Sequence, residues 1–312
     1  MNISKAASRL LQNASRDKDA ATAWGWLSIR VAKTARAVVL HAGGDPACLV
    51  HVRGIELPLR MPLSHRMPMY RARHRRYDAL PAELAKTIRK SRGTLQMIDV
   101  GANVGDTILS TAPHAGDRYL AIEPHPDFFP YLVANTQCLE SVTCLQLACG
   151  EASGILGFDP AFGGTAAPRA DRSARHQLSV LPLDQIWAEQ WLRAPVNFLK
   201  IDTDGFDIVV LHGAAGLLRS QQPWVLYECD VRLTESGLER HLGMREFLGD
   251  AGYRHVIAFN NVGEQVARIS VDDAKSWRRL LATQSAAGPV HYHDLLVLPP
   301  GEESASESIT GE

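Results

Sequence analysis

The sequence predicts an α/β protein built on a doubly wound parallel sheet with helices on both faces. Two observations carry that expectation. Between 94 and 228, short apolar runs at 94–100, 118–123, 142–148, 196–202 and 223–228 alternate with helical patterns at 104–111, 126–139 and 206–218. A sheet buried on both sides reads this way, because its strands are apolar throughout and each crossover returns by a helix. The first run ends at Asp99-Val100 and breaks into a loop, Gly101-Ala102-Asn103-Val104-Gly105, that opens the next helix. Glycine permits the sharp turn and the close approach of backbone to a ligand, and the free N–H groups of a new helix face whatever lies beyond the strand.

Taken in order, the chain starts with a helical extension. Residues 1–37 carry Leu10, Leu11, Trp24, Trp26, Leu27, Val31 and Ala32 as an apolar stripe, expected to pack on its own domain rather than on a partner. The stretch 48–59 alternates like a hairpin turning at Arg53-Gly54. A polar, basic stretch (64–77) precedes a helix over 79–91, with Asp78 as its N-cap and Gly93 as its stop. These elements make an extension over 1–92, and the sheet domain runs from 93 to 300. Within it, 150–183 breaks the alternation with glycines and polar residues and reads as a hairpin and loop insertion. Beyond 228 come a helix (238–250), a strand (253–259), a turn at 260–263, a strand, a helix (272–282) and a last strand (292–298). The acidic, serine-rich tail over 301–312 reads as disordered.

Composition narrows the partners. A chain of 312 residues that is 46% hydrophobic and 21% charged buries one large core or two modest ones, and a net charge of -1 gives no global attraction to nucleic acid or anionic membrane. The five cysteines are odd in number and form no C-x-x-C pair, which predicts reduced, mostly buried thiols and a cytoplasmic location. No run approaches the roughly 18 apolar residues of a membrane span, and the N-terminus lacks the compact apolar stretch of a secretory signal. Oligomeric state is not written in these patterns.

The strand ends name the chemistry. Gly101 and Gly105 lack the G-x-G-x-x-G spacing that brings a pyrophosphate to a helix N-terminus, and Asp99 at the loop mouth repels an anion while favouring an ammonium or a hydroxyl. An amino-acid-bearing nucleoside such as S-adenosylmethionine fits. Glu123, eighteen positions beyond Gly105, suits the hydroxyls of a ribose, the alternative being a cap for the helix at Pro126. Ala148, with Cys149 and Gly150, offers small residues to wall an adenine. Asp202 and Asp204, two apart at the end of the fourth run, suit a general base or a hard divalent cation; the alternative is that Asp204 caps a helix starting at Gly205 while Asp207 favours its first turn. Lys200 pairs with one of these acids or contacts substrate, and Glu228 completes an acidic rim.

In order and spacing, Asp99-Val-Gly-Ala-Asn-x-Gly105, Glu123-Pro124, Lys200-Ile-Asp-x-Asp-Gly-x-Asp207 and the run 208–214 with Leu211, Gly213 and Ala214 resemble the FkbM family of S-adenosylmethionine-dependent methyltransferases. The likeness covers about 95–228, and Asp294-Leu295-Leu296 is similar to the family's final strand. Many members carry Glu where Asp204 and Asp207 stand here. The resemblance implies a Rossmann-like methyltransferase sheet with an antiparallel last strand, S-adenosylmethionine as cofactor and O-methylation of a sugar, glycan or secondary metabolite. On that expectation Asp99 holds the methionine ammonium, Gly101 and Gly105 shape the loop, Glu123 binds ribose, and Asn103, Thr107 and Ala148 complete the cofactor set. Asp202 or Asp204 takes the acceptor's proton, directly or through a divalent metal.

Substrate contacts are expected from His65, Tyr70 and Lys200, with His65 and Tyr70 as alternative proton acceptors. The basic stretch 64–77 suits a phosphate-bearing acceptor such as a nucleotide sugar or lipid-linked glycan, against the commoner reading of a solvated face. His291 and His293 have the look of a metal pair without a third ligand. Two other classes remain: a nicotinamide-dependent oxidoreductase, for which Ala102-Asn103-Val104 supplies no pyrophosphate loop, and a non-catalytic scaffold that has kept the fold.

Overall fold

The computed structural model describes residues 3–16, 23–158, 168–169, 176–233, 236–284, 290–304 and 309. The extension comprises α1 (Ile3–Ala14), α2 (Ala23–His41), a two-stranded antiparallel pair β1 (Ala47–Val50) and β2 (Leu59–Pro62), α3 (Met67–Arg73) and α4 (Leu80–Arg92). The expected hairpin is present with shorter strands: they pair from Ala47↔Pro62 to Val50↔Leu59, and Gly54, at φ +82°, turns within the connection rather than at a two-residue tip. The basic stretch is not all loop. It contains α3, which has Pro68 in its first turn.

The sheet domain contains β3 (Gln96–Val100), α5 (Asp106–Ser110), β4 (Arg118–Ile122), α6 (Phe129–Thr136), β5 (Val142–Leu145), β6 (Ala148–Gly150), β7 (Gly154–Phe158), β8 (Pro168–Arg169), β9 (His176–Pro182) and α7 (Leu183–Gln190). It continues with β10 (Phe198–Ile201), α8 (Asp207–His212), α9 (Ala215–Gln221), β11 (Trp224–Cys229), α10 (Gly237–Asp250), β12 (His255–Asn260), β13 (Gln265–Ser270), α11 (Ala274–Leu281) and β14 (His293–Leu298). Eight strands form the main sheet in the order β13-β12-β14-β11-β10-β3-β4-β5. From β11 to β5 all pairs are parallel, whereas β14 runs antiparallel to both β11 and β12. The order reverses between β3 and β10, which opens the crevice where such sheets bind ligands.

Alternate residues of each strand feed different cores. Ile98, Val100, Leu199, Ile201, Val225 and Tyr227 are buried with Leu211, Leu217 and Leu248 on one face, while Met97, Tyr119, Phe198, Trp224 and Leu226 are buried with Leu84 and Ile108 on the other. A third cluster joins the extension to the domain: Leu11, Val50, Leu59 and Met61 pack with Val104, Leu109 and Phe128, so the extension is seated on the glycine loop itself.

Several boundaries moved for local reasons. The run 142–148 splits into β5 and β6, and β6 leaves the main sheet to pair with β9, making the insertion a second sheet ordered β6-β9-β7-β8; much of its polar loop lies outside the described residues. The helical pattern 206–218 divides at Gly213, where a Cβ would run into the carbonyl of Gly150. Asp78 does not cap α4: the N-cap is Ala79, with no side-chain bond, and Asp78 takes a left-handed φ of 51°. By contrast Asp273 caps α11 by accepting the N–H of Ser276 at 3.0 Å. The N-terminal stripe is also divided, because Leu11 and Ala32 are buried while Trp24, Trp26, Leu27 and Val31 lie exposed along α2. Glu302 binds Arg92 at 2.8 Å and Ile309 is buried, so the described part of the tail is docked rather than disordered. All five cysteines are free; Cys48, Cys149 and Cys229 are buried and Cys138 is exposed.

Candidate active site

The glycine loop crosses from β3 over the end of β4, where Gly101 and Ala102 donate their N–H groups to the Ile122 carbonyl at 2.9 and 3.0 Å. Gly101 has φ +80°, and a Cβ there would collide with the Asp202 carbonyl, so the loops after β3 and β10 meet backbone to backbone. Gly105, at φ +84°, is the N-cap of α5 and lies against Leu132 and Thr136. It shapes the helix start and lines neither ligand space.

Glu123 does not cap the helix beyond Pro126. Its carboxylate accepts the backbone N–H of Asn103 at 2.8 Å and of His125 at 2.7 Å, tying the β4 end to the glycine loop. Burial pushes its pKa up to about 7, against the pull of those two N–H donors. Glu123 lines a narrow groove together with Phe128, Ala148, Cys149 and Leu156. Glu123 beside an apolar slot, with Asp202 and Asp204 at its far end, matches a nucleoside, the acid for ribose hydroxyls and the slot for the base. The expected Asn103 and Ala148 are in this groove; Phe128 and Leu156 were not anticipated, since a helix-start aromatic and a strand of the second sheet carry no sequence mark of a ligand.

The same groove continues past Asp202 and Asp204 into a cavity of about 540 Å³. Asp202 and Asp204 line both spaces, as does Asn103, whereas His65, Tyr70, Thr107 and Lys200 line only the cavity. Thr107 therefore sits on the cavity side rather than in the nucleoside groove. Asp204, at φ 50°, does not cap α8, whose N-cap is Phe206. Asp207 braces this turn instead: it accepts the Thr203 hydroxyl at 2.9 Å and the Glu228 N–H at 3.1 Å, and burial lifts its pKa to about 7.

Asp99 is placed differently from its expected position. It is fully buried beneath the loop and lines neither space, and Lys200 Nζ stands between it, at 3.4 Å, and Asp202, at 3.1 Å. Burial raises Asp99 to about 6 although Lys200 draws it down, and the two carboxylates raise Lys200 well above the usual ammonium value. Lys200 is thus a fixed cation that aligns Asp202.

His65 is buried at the cavity wall. Its Nδ1 accepts the Met67 N–H at 3.3 Å, which leaves the proton on Nε2, 3.2 Å from Asn103 Oδ1. Both ring nitrogens are engaged and burial lowers its pKa, an arrangement suited to positioning Asn103. Two arginines of the basic stretch are engaged away from the cavity, Arg71 against Asp106 and Asp78 and Arg76 on Glu83 and the Gly263 carbonyl, while Arg66 and His74 line it. His293 is held by Gln284 and Thr283 at 2.9 and 3.3 Å, apart from His291, which lines the cavity. Among the described residues no group of three or more His, Cys, Asp or Glu is arranged to hold a metal ion, and no helix is long and apolar enough to cross a membrane.

The model of the methyltransferase FkbM domain matches residues 99–255, just over half of the chain, spanning every element that builds the groove from the glycine loop to β12. The chain belongs to the FkbM methyltransferase family. Solved structures similar to this FkbM chain include an FkbM methyltransferase from Methylobacillus flagellatus KT (18% identity over 44% of this chain and 33% of that one, TM-score 0.33). They also include a putative O-methyltransferase from Klebsiella pneumoniae (13% identity, 70% and 79% covered, TM-score 0.40) and a pre-rRNA processing fibrillarin from Methanococcus jannaschii (11%, 66% and 66%, TM-score 0.36). The chain spans about a third of the length of the first. No curated protein sequence matches the FkbM chain. Its assignment rests on the family model.

Proposed function

We propose that this FkbM chain is an O-methyltransferase acting on a hydroxyl of a sugar, glycan or secondary metabolite. The observation that carries the reading is that Asp202 and Asp204 line both the nucleoside groove and the adjoining cavity. The residues fit S-adenosylmethionine: Glu123 would hold the ribose, Phe128, Ala148, Cys149 and Leu156 the adenine, and Asp202 with the loop at Gly101 the methionine end. When bound, this cofactor supplies a methyl group on a sulfonium. The protein's own part is to align the acceptor oxygen, exclude water and take one proton. In this reading Asp202 takes that proton, with Asp204 as the alternative; what supports Asp202 is that its carboxylate lines the cavity and is oriented by Lys200 at 3.1 Å. The five free cysteines fit a reducing compartment, and a cytoplasmic location is part of the proposal.

Calorimetry with S-adenosylhomocysteine and with NAD tests the cofactor: heat from the first alone supports the reading, heat from NAD turns it to an oxidoreductase, and neither leaves a scaffold. Asp202→Asn tests the base. Methyl transfer at saturating cofactor should fall about a hundredfold or more, well beyond any loss of S-adenosylhomocysteine affinity; undiminished turnover would remove Asp202 from the chemistry.

A further inference from the structure

The acceptor cavity has a composition that the family reading does not explain. Among the described residues seven carboxyl side chains line it against two permanent cations, Lys200 and Arg66, although Arg71 pairs with Asp106 and Asp78 and Arg232 with Asp230. Lys200 is already bound between Asp99 and Asp202, and Arg66 is exposed at the rim. Two of the acids face each other by construction: Glu228 on β11 and Asp294 on β14 are register partners in the antiparallel pair. Opposed carboxyls at the roughly 5 Å separation of cross-strand side chains disfavour joint ionisation, burial and the surrounding acids raise both well above the usual carboxylate range, and among the described residues no Lys or Arg forms an ion pair with either, so a bound cation is what would stabilise their ionised forms. Asp78, its side chain 40% accessible, joins them from the extension, and its open surface is on the cavity.

Aromatic rings occupy the same wall. Tyr77 and Tyr292 line the cavity, Tyr70 packs against Tyr77 with ring centroids 5.3 Å apart, and burial raises Tyr77 and Tyr292 far above the ordinary phenol range. Uncharged ring faces beside carboxylates are the surroundings that hold an organic cation.

The strand order separates this wall from the donor's own charge. Register pairs Ile201 with Tyr227, so Asp202 lies level with Glu228 and then Asp294 in one row across the sheet. Successive strands are ~4.8 Å apart, which puts Glu228 and Asp294 roughly 5 and 10 Å beyond the β10 end where the donor's methyl is expected. Resting on the O-methyltransferase reading, we propose that the acceptor is an amine-bearing polyol whose protonated amine docks between Glu228, Asp294 and Asp78, with the tyrosines around it, while a hydroxyl of the same molecule is presented to Asp202. A phosphorylated acceptor is disfavoured by the same wall.

Three probes on one skeleton test it: glucosamine, N-acetylglucosamine and glucosamine 6-phosphate, titrated into the protein saturated with S-adenosylhomocysteine. Glucosamine should bind at least about tenfold more tightly than the other two, a difference of ~1.4 kcal/mol. Glu228→Gln and Asp294→Asn, which keep size and lose charge, should each erase most of that preference while leaving S-adenosylhomocysteine affinity unchanged; unchanged cofactor affinity also shows that each variant has folded. Equal binding of the three, tighter binding of the phosphate, or no binding of glucosamine overturns the amine proposal. Failure of the protein to bind S-adenosylhomocysteine would instead overturn the methyltransferase reading beneath it.

Discussion

Lys200 and Asp99 are register partners on adjacent parallel strands, and the lysine ammonium lies 3.4 Å from a carboxylate that has no hydrogen-bond donor of its own. Lys200 is therefore the partner that makes an ionised Asp99 tolerable under the loop. Lys200→Met should destabilise the protein by about 3 kcal/mol, because the buried carboxylate is left uncompensated. Adding Asp99→Asn should restore much of that loss. Urea unfolding of the two variants measures both, and a double variant no more stable than Lys200→Met would contradict the pairing.

Glu123 gives donor binding a pH dependence of known sign. Its pKa stands at about 7 in the free protein, and ribose hydroxyls donate to the ionised form. Binding must therefore expel the proton below that pH, so S-adenosylhomocysteine affinity should fall by up to tenfold per pH unit as the solution is acidified below about 7, and level off above it. Glu123→Gln should bind weakly at every pH. An affinity independent of pH between 5 and 8 would separate Glu123 from the ribose.

Gly101 and Gly54 share a left-handed backbone but differ in surroundings. A Cβ on Gly54 meets nothing within 4 Å, whereas one on Gly101 meets the Asp202 carbonyl. Gly54→Ala should cost about 1 kcal/mol of backbone strain and leave cofactor affinity alone. Gly101→Ala should abolish cofactor binding. Thermal melts and calorimetry on the pair distinguish strain from collision.

His65→Gln tests positioning against base catalysis. A residue that only holds Asn103 should, when lost, raise the KM for S-adenosylmethionine several-fold and leave the pH profile of kcat unchanged. A profile that loses a limb would make His65 a proton acceptor after all.

The sheet and the groove at Glu123 were legible because they are local in sequence: strand, glycine loop and helix follow one another from Met97 to Ser110, and Glu123 and Asp202 immediately follow their own strands. The cavity was not, because it is assembled from distant segments. Asp78 reads as a helix cap until its φ of 51° turns it inward, Tyr292 and Asp294 come from the end of the chain, and Glu228 acquires its meaning from the register with Asp294. Asp99 misled for a different reason. Its position was read correctly, yet strand parity that sends Val100 to one face sends Asp99 to the other, under the loop with Lys200.

The reversed strand β14 has a consequence for how the polypeptide is made. It lies between β11 and β12 although it follows both of them in sequence. Until His293–Leu298 leaves the ribosome, β11 presents an open edge with Val225, Leu226 and Tyr227 on it, and the β12–β13 hairpin has no sheet to join. A nascent chain in that condition offers an unpaired apolar edge to its neighbours on the polysome. The interval before β14 emerges thus leaves that edge open to aggregation.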